Sequence, residues 1–175
     1  DKKISNVATE YKAEVYSRPS ELATDTSQVA DTLRHLWKTL ITQGEKADIF
    51  LLLEATSPFR TPELISKCLN RLVDEKLDSI ATFHDADINP ERVWRINDGV
   101  PSPIFDGENL WKPRQQLTPA YQMNGAVYAF FPERLPKKIP NILFGNMGSE
   151  IILSESVIDI DTTKDFKIAN ALLKY

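Results

Sequence analysis

The chain has 175 residues, 42% of them hydrophobic and 26% charged, with a formal net charge of −4. That is enough apolar material for one domain with a real core, and the mild acidity excludes the basic footprint of a nucleic-acid binder. The one cysteine, Cys68, excludes an internal disulfide and fits a reducing compartment.

In chain order, Lys2 to Lys12 reads as a helix with Ile4, Val7 and Ala8 on one side. "AEVYSR", residues 13–18, reads as a short strand. "SQVADTLRHLWKTLITQG" is the clearest helix: Val29, Leu33, Leu36, Trp37 and Leu40 recur at helical spacing and Gly44 closes it. "DIFLLL", residues 48–53, is a continuous apolar run, the pattern of a central parallel strand covered on both faces. Thr61, Pro62 and Glu63 supply an N-cap, a proline at the first helical position and an acid in the first turn. That helix runs to about Lys76 and carries Cys68 on its apolar side, as core filler. "DSIATFH" is the next strand.

The pattern then changes. Residues 85–120 carry prolines 90, 101, 103, 113 and 119, with "RVWRI" the only obvious strand. "GAVYAFF" restores a strand, "IILS" and "SVIDID" supply more, and "TTKDFKIANALLK" is a terminal helix. Alternating strands and helices predict an α/β fold, with a mostly parallel sheet, forming a single domain over 1–175. Residues 85–120 form an insertion or arm upon it. No run reaches the ~18 apolar residues of a membrane span. No signal peptide is visible, and a cytoplasmic location follows as the expectation.

Three stretches could carry chemistry. Ligands of open parallel sheets bind beyond the carboxyl ends of the strands. Glu54 to Arg60 occupies such an end, where Thr56 and Ser57 can donate to an anion or a sugar hydroxyl. The helix that follows favours negative charge there, and with it the ionised form of Glu54. A capped loop with a turn at Ser57-Pro58 fits the same residues. In "SVIDIDT", residues 156–162, a strand would place Asp159 and Asp161 on one face and Ile158 and Ile160 in the core. Two such carboxylates suit a hard cation such as Mg²⁺, or else mark a solvated strand edge. In "PRQQLTPAYQMNGAVYAF", Arg114 can grip a carboxylate through two parallel hydrogen bonds. Asn124-Gly125 allows close backbone approach to a ligand, or a hairpin turn. His35 and His84 stand isolated, and His35 beside Leu36 and Trp37 reads as packing.

Together and in order, these blocks resemble the acylneuraminate cytidylyltransferase family, the CMP-sialic acid synthetases. "RPSELATDTS" is similar to the family's segment that helps hold the nucleotide. "LLLEATSPFR" is similar to "LLQPTSPLR", "RQQLTPAYQMNGAVYAF" to "RQxLPxxYRxNGAIYIF", and "SVIDIDTTKDFKIA" to "SVDIDTxxDFxxAE". The resemblance covers nearly the whole chain. It implies a three-layer, Rossmann-like nucleotidyltransferase fold, with residues 85–120 serving as a dimerisation arm of a homodimer. It implies transfer of CMP from CTP to the anomeric hydroxyl of a nine-carbon keto-acid sugar, with Mg²⁺ as cofactor and pyrophosphate leaving. Arg18 and Ser27 would line the CTP side. Glu54, Thr56 and Ser57 would face the sugar acid, and Gln122, Asn124 and Tyr128 would line its pocket. Arg114 would hold the substrate carboxylate near the dimer interface, and Asp159 and Asp161 would be the magnesium carboxylates.

The chain departs from the family in three ways. The family's opening strand, glycine-rich phosphate loop, helix and second strand have no counterpart here. The expectation is therefore a chain incomplete at its N-terminus, inactive when only these residues are present. Glu54 and Ala55 stand where sialic-acid enzymes have Gln and Pro, and legionaminic-type members resemble this more closely. Gln122 replaces a common Arg. The alternatives are a cytidylyltransferase for another keto-acid sugar, such as pseudaminic acid, and a non-catalytic remnant that dimerises or binds a sugar acid.

Overall fold

The computed structural model describes residues 1–105, 108–154 and 157–173. Residues 106 and 107 of the arm, Ser156 of the acidic block and Lys174 of the terminal helix therefore lie outside the described residues.

The helices form where capping and spacing predict. Helix α1 spans Lys2–Glu10, with the Asp1 carboxylate accepting from the Lys3 backbone N–H at 2.6 Å. Helix α2 spans Val29–Thr42 and stops at Gly44, whose φ of +80° suits a residue without a Cβ. Helix α3 spans Pro62–Asp74, and its Thr61 cap accepts from the Leu64 N–H at 3.2 Å. Helix α4 spans Thr163–Leu172 and opens with a capping box between Thr162 and Asp165.

Strands β1 (Phe50–Leu52), β2 (Ser79–Asp85), β5 (Tyr121–Phe130) and β6 (Met147–Ile151) form one sheet in the order β1-β5-β2-β6. Strands β1, β2 and β6 share a direction, and β5 runs against them between β1 and β2. Helix α2 covers one face through Leu33, which packs with Phe50, Phe130, Leu135 and Phe144. The aromatic rings there meet edge to face at 5.8–6.0 Å. Helix α3 covers the other face, where Cys68 and Leu72 pack on Leu77, Ile80, Val127 and Ala129. Cys68 is fully buried core filler, as expected, and burial pushes its thiol up to about 11. This is the three-layer arrangement the family resemblance implies.

Three local expectations are corrected. Residues 13–18 form no strand; Tyr16 instead anchors that stretch to α2 through His35 and Thr39, the latter at 3.3 Å. Among the described residues strand β1 has β5 as its one neighbour, where the sequence predicts a strand paired on both sides. Nor are both faces covered: Phe50 is 8% exposed but Leu51 is 39% exposed. The last strand is β6 at 147–151, and residues 157–162 form none. The polar "MGSE" hides β6, because Glu150 is buried as an ion pair under Lys67 (2.7 Å) and Arg71 (3.0 Å) of α3.

Within the arm, strand β3 (Trp94–Asn97) pairs with β4 (Val100–Pro103) across a turn at Asp98-Gly99, both at positive φ. The arm leaves and rejoins the body where Asp85 pairs with Tyr121, and the Ala86 N–H bonds the Ala120 carbonyl at 2.8 Å.

The turn into β6 depends on Asp78. Its carboxylate accepts from the Asn146 N–H (2.7 Å) and Arg134 Nη1 (2.9 Å), and these bonds hold it below the usual carboxylate range. Asp78→Ala is expected to cost about 1 kcal/mol at neutral pH. A carboxyl whose pKa is lowered by folding contributes stability above its unfolded value and loses it as pH falls through the folded one. Urea titrations should therefore show the gap between wild type and variant closing on the acid side. A gap independent of pH would assign the loss to packing.

Candidate functional site

The site grows from the end of β1. After Leu52 the chain turns away from the sheet edge, and the loop 54–60 is laced onto β5. The Glu54 N–H donates to the Gly125 carbonyl at 3.3 Å, and the Ser57 N–H closes a turn onto the Glu54 carbonyl at 3.2 Å. Ser57, 3% exposed, donates through Oγ to the Asn124 carbonyl at 2.7 Å. The Arg60 guanidinium donates to the Glu54 carbonyl and, at 2.8 Å, to that of Ala126. Arg60 is thus the clamp of this loop, a role that no local spacing announces.

Strand β5 is bulged where the loop docks. Its register against β2 jumps between Ala81 and Phe83, so residues 124–127 face Thr82 alone. Asn124-Gly125 is therefore a bulge inside a strand and not a hairpin turn. Gly125 has φ of +70°, and a Cβ there would overlap the Glu54 carboxyl and lie 2.7 Å from Ser57 Oγ. The Asn124 side chain is buried: Oδ1 accepts from Thr82 Oγ1 at 2.6 Å and from the Ala126 N–H at 3.1 Å. Its Nδ2 has no partner among the described residues.

Residues 157–162 lie over this corner as an extended segment, tied by the Ile160 N–H to the Thr56 carbonyl at 2.9 Å. Although it is no strand, Ile158 and Ile160 are half-buried while Asp159 and Asp161 are exposed, the expected alternation. Burial pushes the Glu54 carboxyl up, Asp159 pushes it further, Arg60 opposes and Asp161 adds. The sequence-based expectation that the α3 N-terminus favours ionised Glu54 is thus reversed in direction, because burial and acidic neighbours outweigh it. Tyr128, 7% exposed, is pushed up to about 12 by burial and by Glu54. Glu54, Ser57, Asn124, Gly125, Tyr128 and Asp159 therefore share one electrostatic neighbourhood.

A cavity of about 430 Å³ opens beside Tyr128, walled by Met123, Ile142, Leu143 and Met147 and by Gln28 and Val29 at the start of α2. Ser27 precedes it in sequence, but its Oγ is engaged with Thr24 (2.9 and 2.8 Å) and the Glu21 carbonyl. Arg18 is exposed on the stretch before the turn Ser20–Leu22. Arg114 lines a separate cleft of about 260 Å³ at the arm's base, with Asp85, Asn89 and Thr118. Gln122, expected in the sugar pocket, is bonded to Asp87 and His84. Among the described residues, no three His, Cys, Asp or Glu side chains cluster closely enough to hold a metal by themselves. No helix of the described residues is long and apolar enough to cross a membrane.

No family model matches the chain. The solved structure of a CMP:2-keto-3-deoxy-manno-octonic acid synthetase complexed with CTP is similar at a TM-score of 0.63 and 16% identity, over 99% of this chain and 78% of that one. The fold is that of a nucleotidyltransferase. The CMP-N,N'-diacetyllegionaminic acid synthase of Legionella pneumophila is 30% identical over 99% of this chain and 75% of its own length. An N-acylneuraminate cytidylyltransferase of Streptococcus agalactiae is 25% identical over 87% of this chain and 36% of its own length. The chain belongs to the acylneuraminate cytidylyltransferase family.

Proposed function

We propose that the protein transfers CMP from CTP to the anomeric hydroxyl of a nonulosonic acid of the legionaminic type. The hydroxyl oxygen bonds to the α-phosphorus, the bond to the β-phosphate breaks, pyrophosphate leaves and the hydroxyl proton is released. The observation that carries the reading is the corner at the end of β1. Buried Ser57, Asn124 Nδ2 without a partner among the described residues, Tyr128 and Glu54 meet there beneath Asp159. The likeness to the Legionella synthase supports the sugar class.

In this reading Glu54, Thr56, Ser57, Gln122, Asn124 and Tyr128 bind the sugar acid, and the buried Asn124 N–H groups suit one of its oxygens. The apolar cavity beside Tyr128 suits its non-hydroxyl substituents. Arg114 holds the sugar carboxylate by paired hydrogen bonds, while Arg18 and Ser27 face CTP. Asp159 and Asp161 fit a divalent cation such as Mg²⁺, which takes one or two protein carboxylates and fills its remaining positions with water and phosphate. When bound, such an ion neutralises charge that builds on the phosphate oxygens. Arm residues Ile96 (69% exposed), Val100 (66%) and Trp111 (85%) support the homodimer, in which apolar side chains of two arms cover one another.

The test is pyrophosphate release from CTP by the full-length protein with a panel of nonulosonic acids, repeated with Glu54→Gln. A carboxylate only accepts hydrogen bonds and a carboxylic acid has a single O–H to donate, whereas Gln offers two N–H donors beside an acceptor. A lost donor–acceptor match costs roughly 1–3 kcal/mol, about one to two decades in kcat/KM. Glu54→Gln should shift preference from a legionaminic-type acid toward N-acetylneuraminic acid by that amount. An unchanged ratio would show that Glu54 does not read the sugar; no turnover with any nonulosonic acid would reject the activity.

A further inference from the structure

We propose that His84, which the sequence leaves isolated, is a positioning residue of the sugar pocket: as its Nδ1–H tautomer it locks the Gln122 amide in one orientation together with Asp87. The inference rests on the reading that Gln122 faces the sugar.

Gln122 and His84 are cross-strand partners on β5 and β2. The Asp87 N–H donates to Gln122 Oε1 at 3.2 Å, and Gln122 Nε2 donates to Asp87 Oδ2 at 3.3 Å. A flipped amide would set two donors against each other at the Asp87 N–H and two acceptors at its carboxylate. Asp87 therefore decides which way the amide points. The same Nε2 lies 3.1 Å from His84 Nε2. An amide nitrogen has only hydrogens to offer, so His84 Nε2 must accept and the ring proton must sit on Nδ1. That Nδ1 is buried and has no partner among the described residues, and the ring is 5% exposed. Local hydrogen bonding around Nδ1 gives no reason for this tautomer, so the network imposes it through Gln122.

The arrangement has a chemical consequence. Both Gln122 N–H groups are engaged, one by Asp87 and one by His84. What remains free for a sugar is acceptor capacity on Oε1. Gln122 therefore selects a hydroxyl or amide N–H on the substrate. Losing His84 would release an N–H, and the pocket would lose that discrimination.

Long-range proton–nitrogen spectra of the enzyme, labelled at histidine, should show His84 protonated at Nδ1 and bare at Nε2. The opposite tautomer would overturn the proposal. His84→Leu should raise KM for the sugar acid about tenfold, the worth of one well-made hydrogen bond, and leave KM for CTP and kcat within about twofold. His84→Gln, whose Oε1 can accept from Gln122, should recover most of that loss. Equal rises in the Leu and Gln variants would mean that the ring only fills space. Should His84→Leu fail to fold, Asp87→Ala tests the same amide from the solvent side, with an expected rise of about threefold; no rise would count against the lock. Gln122→Leu separates the two layers. If it leaves the sugar KM unchanged, Gln122 does not face the sugar and the positioning role falls with that assignment. If it raises the sugar KM and His84→Leu does not, the pocket assignment stands and the role of His84 is rejected.

Discussion

Replacing Asp161 by alanine is expected to lower kcat by two to three orders of magnitude, with Asp159→Ala severe but less complete. Both carboxylates hang from a segment pinned at Ile160 to the Thr56 carbonyl, 2.9 Å away, and both bear on the Glu54 carboxyl. They are exposed, so their removal leaves the core intact. The loss should appear in turnover and not in the thermal midpoint. Raising the concentration of divalent cation should partly restore kcat in a variant that keeps one carboxylate. Normal turnover of Asp161→Ala at ordinary magnesium concentrations would show that the pair is a solvated acidic edge.

Gly125→Ala should be severely damaging to the site. A left-handed conformation costs an L-residue roughly 1–2 kcal/mol. At φ of +70° the new Cβ would also press on Glu54 and Ser57. The loop can relieve that overlap only by lifting off the bulge, which breaks the Ser57–Asn124 bond of 2.7 Å. Misplacing substrate-binding groups by about an ångström can cost a factor of 10² in rate. The expected result is therefore a fall of about that size in kcat/KM for the sugar, with a loss of about 1–3 kcal/mol in urea-determined stability. Wild-type values for both would show that the corner is looser than its contacts indicate.

The helices were legible in the sequence through apolar spacing and local end signals: Thr61-Pro62 starts α3 and Gly44 ends α2, although Gln28 gives α2 no side-chain cap. The cores followed from apolar spacing. What escaped depends on register. Glu150 reads as a surface acid until α3 places Lys67 and Arg71 over it. Strand β4 was hidden by its two prolines, although Asn97-Asp98-Gly99 is a hairpin signal that names it. Loop 54–60 was legible as a strand tip, yet its clamp, Arg60, reaches a carbonyl 66 positions away at Ala126. The pairing of His84 with Gln122 exists because a bulge in β5 sets which residues face each other, and no linear spacing carries that information.

The arm leaves β2 at Asp85 and returns to β5 at Tyr121, and those two residues are paired partners in the sheet. Whatever lies between them is a closed excursion whose ends are already held together by the body. The entropy of such a loop grows only with the logarithm of its length, roughly 0.6 kcal/mol for each doubling. Selection can therefore lengthen, shorten or redecorate this excursion at little thermodynamic penalty, and the corner at Glu54 and Gly125 need not move. That freedom belongs to the hairpin Trp94–Pro103 at its far end, which can diverge while Asp87 and Arg114 at its base stay in place.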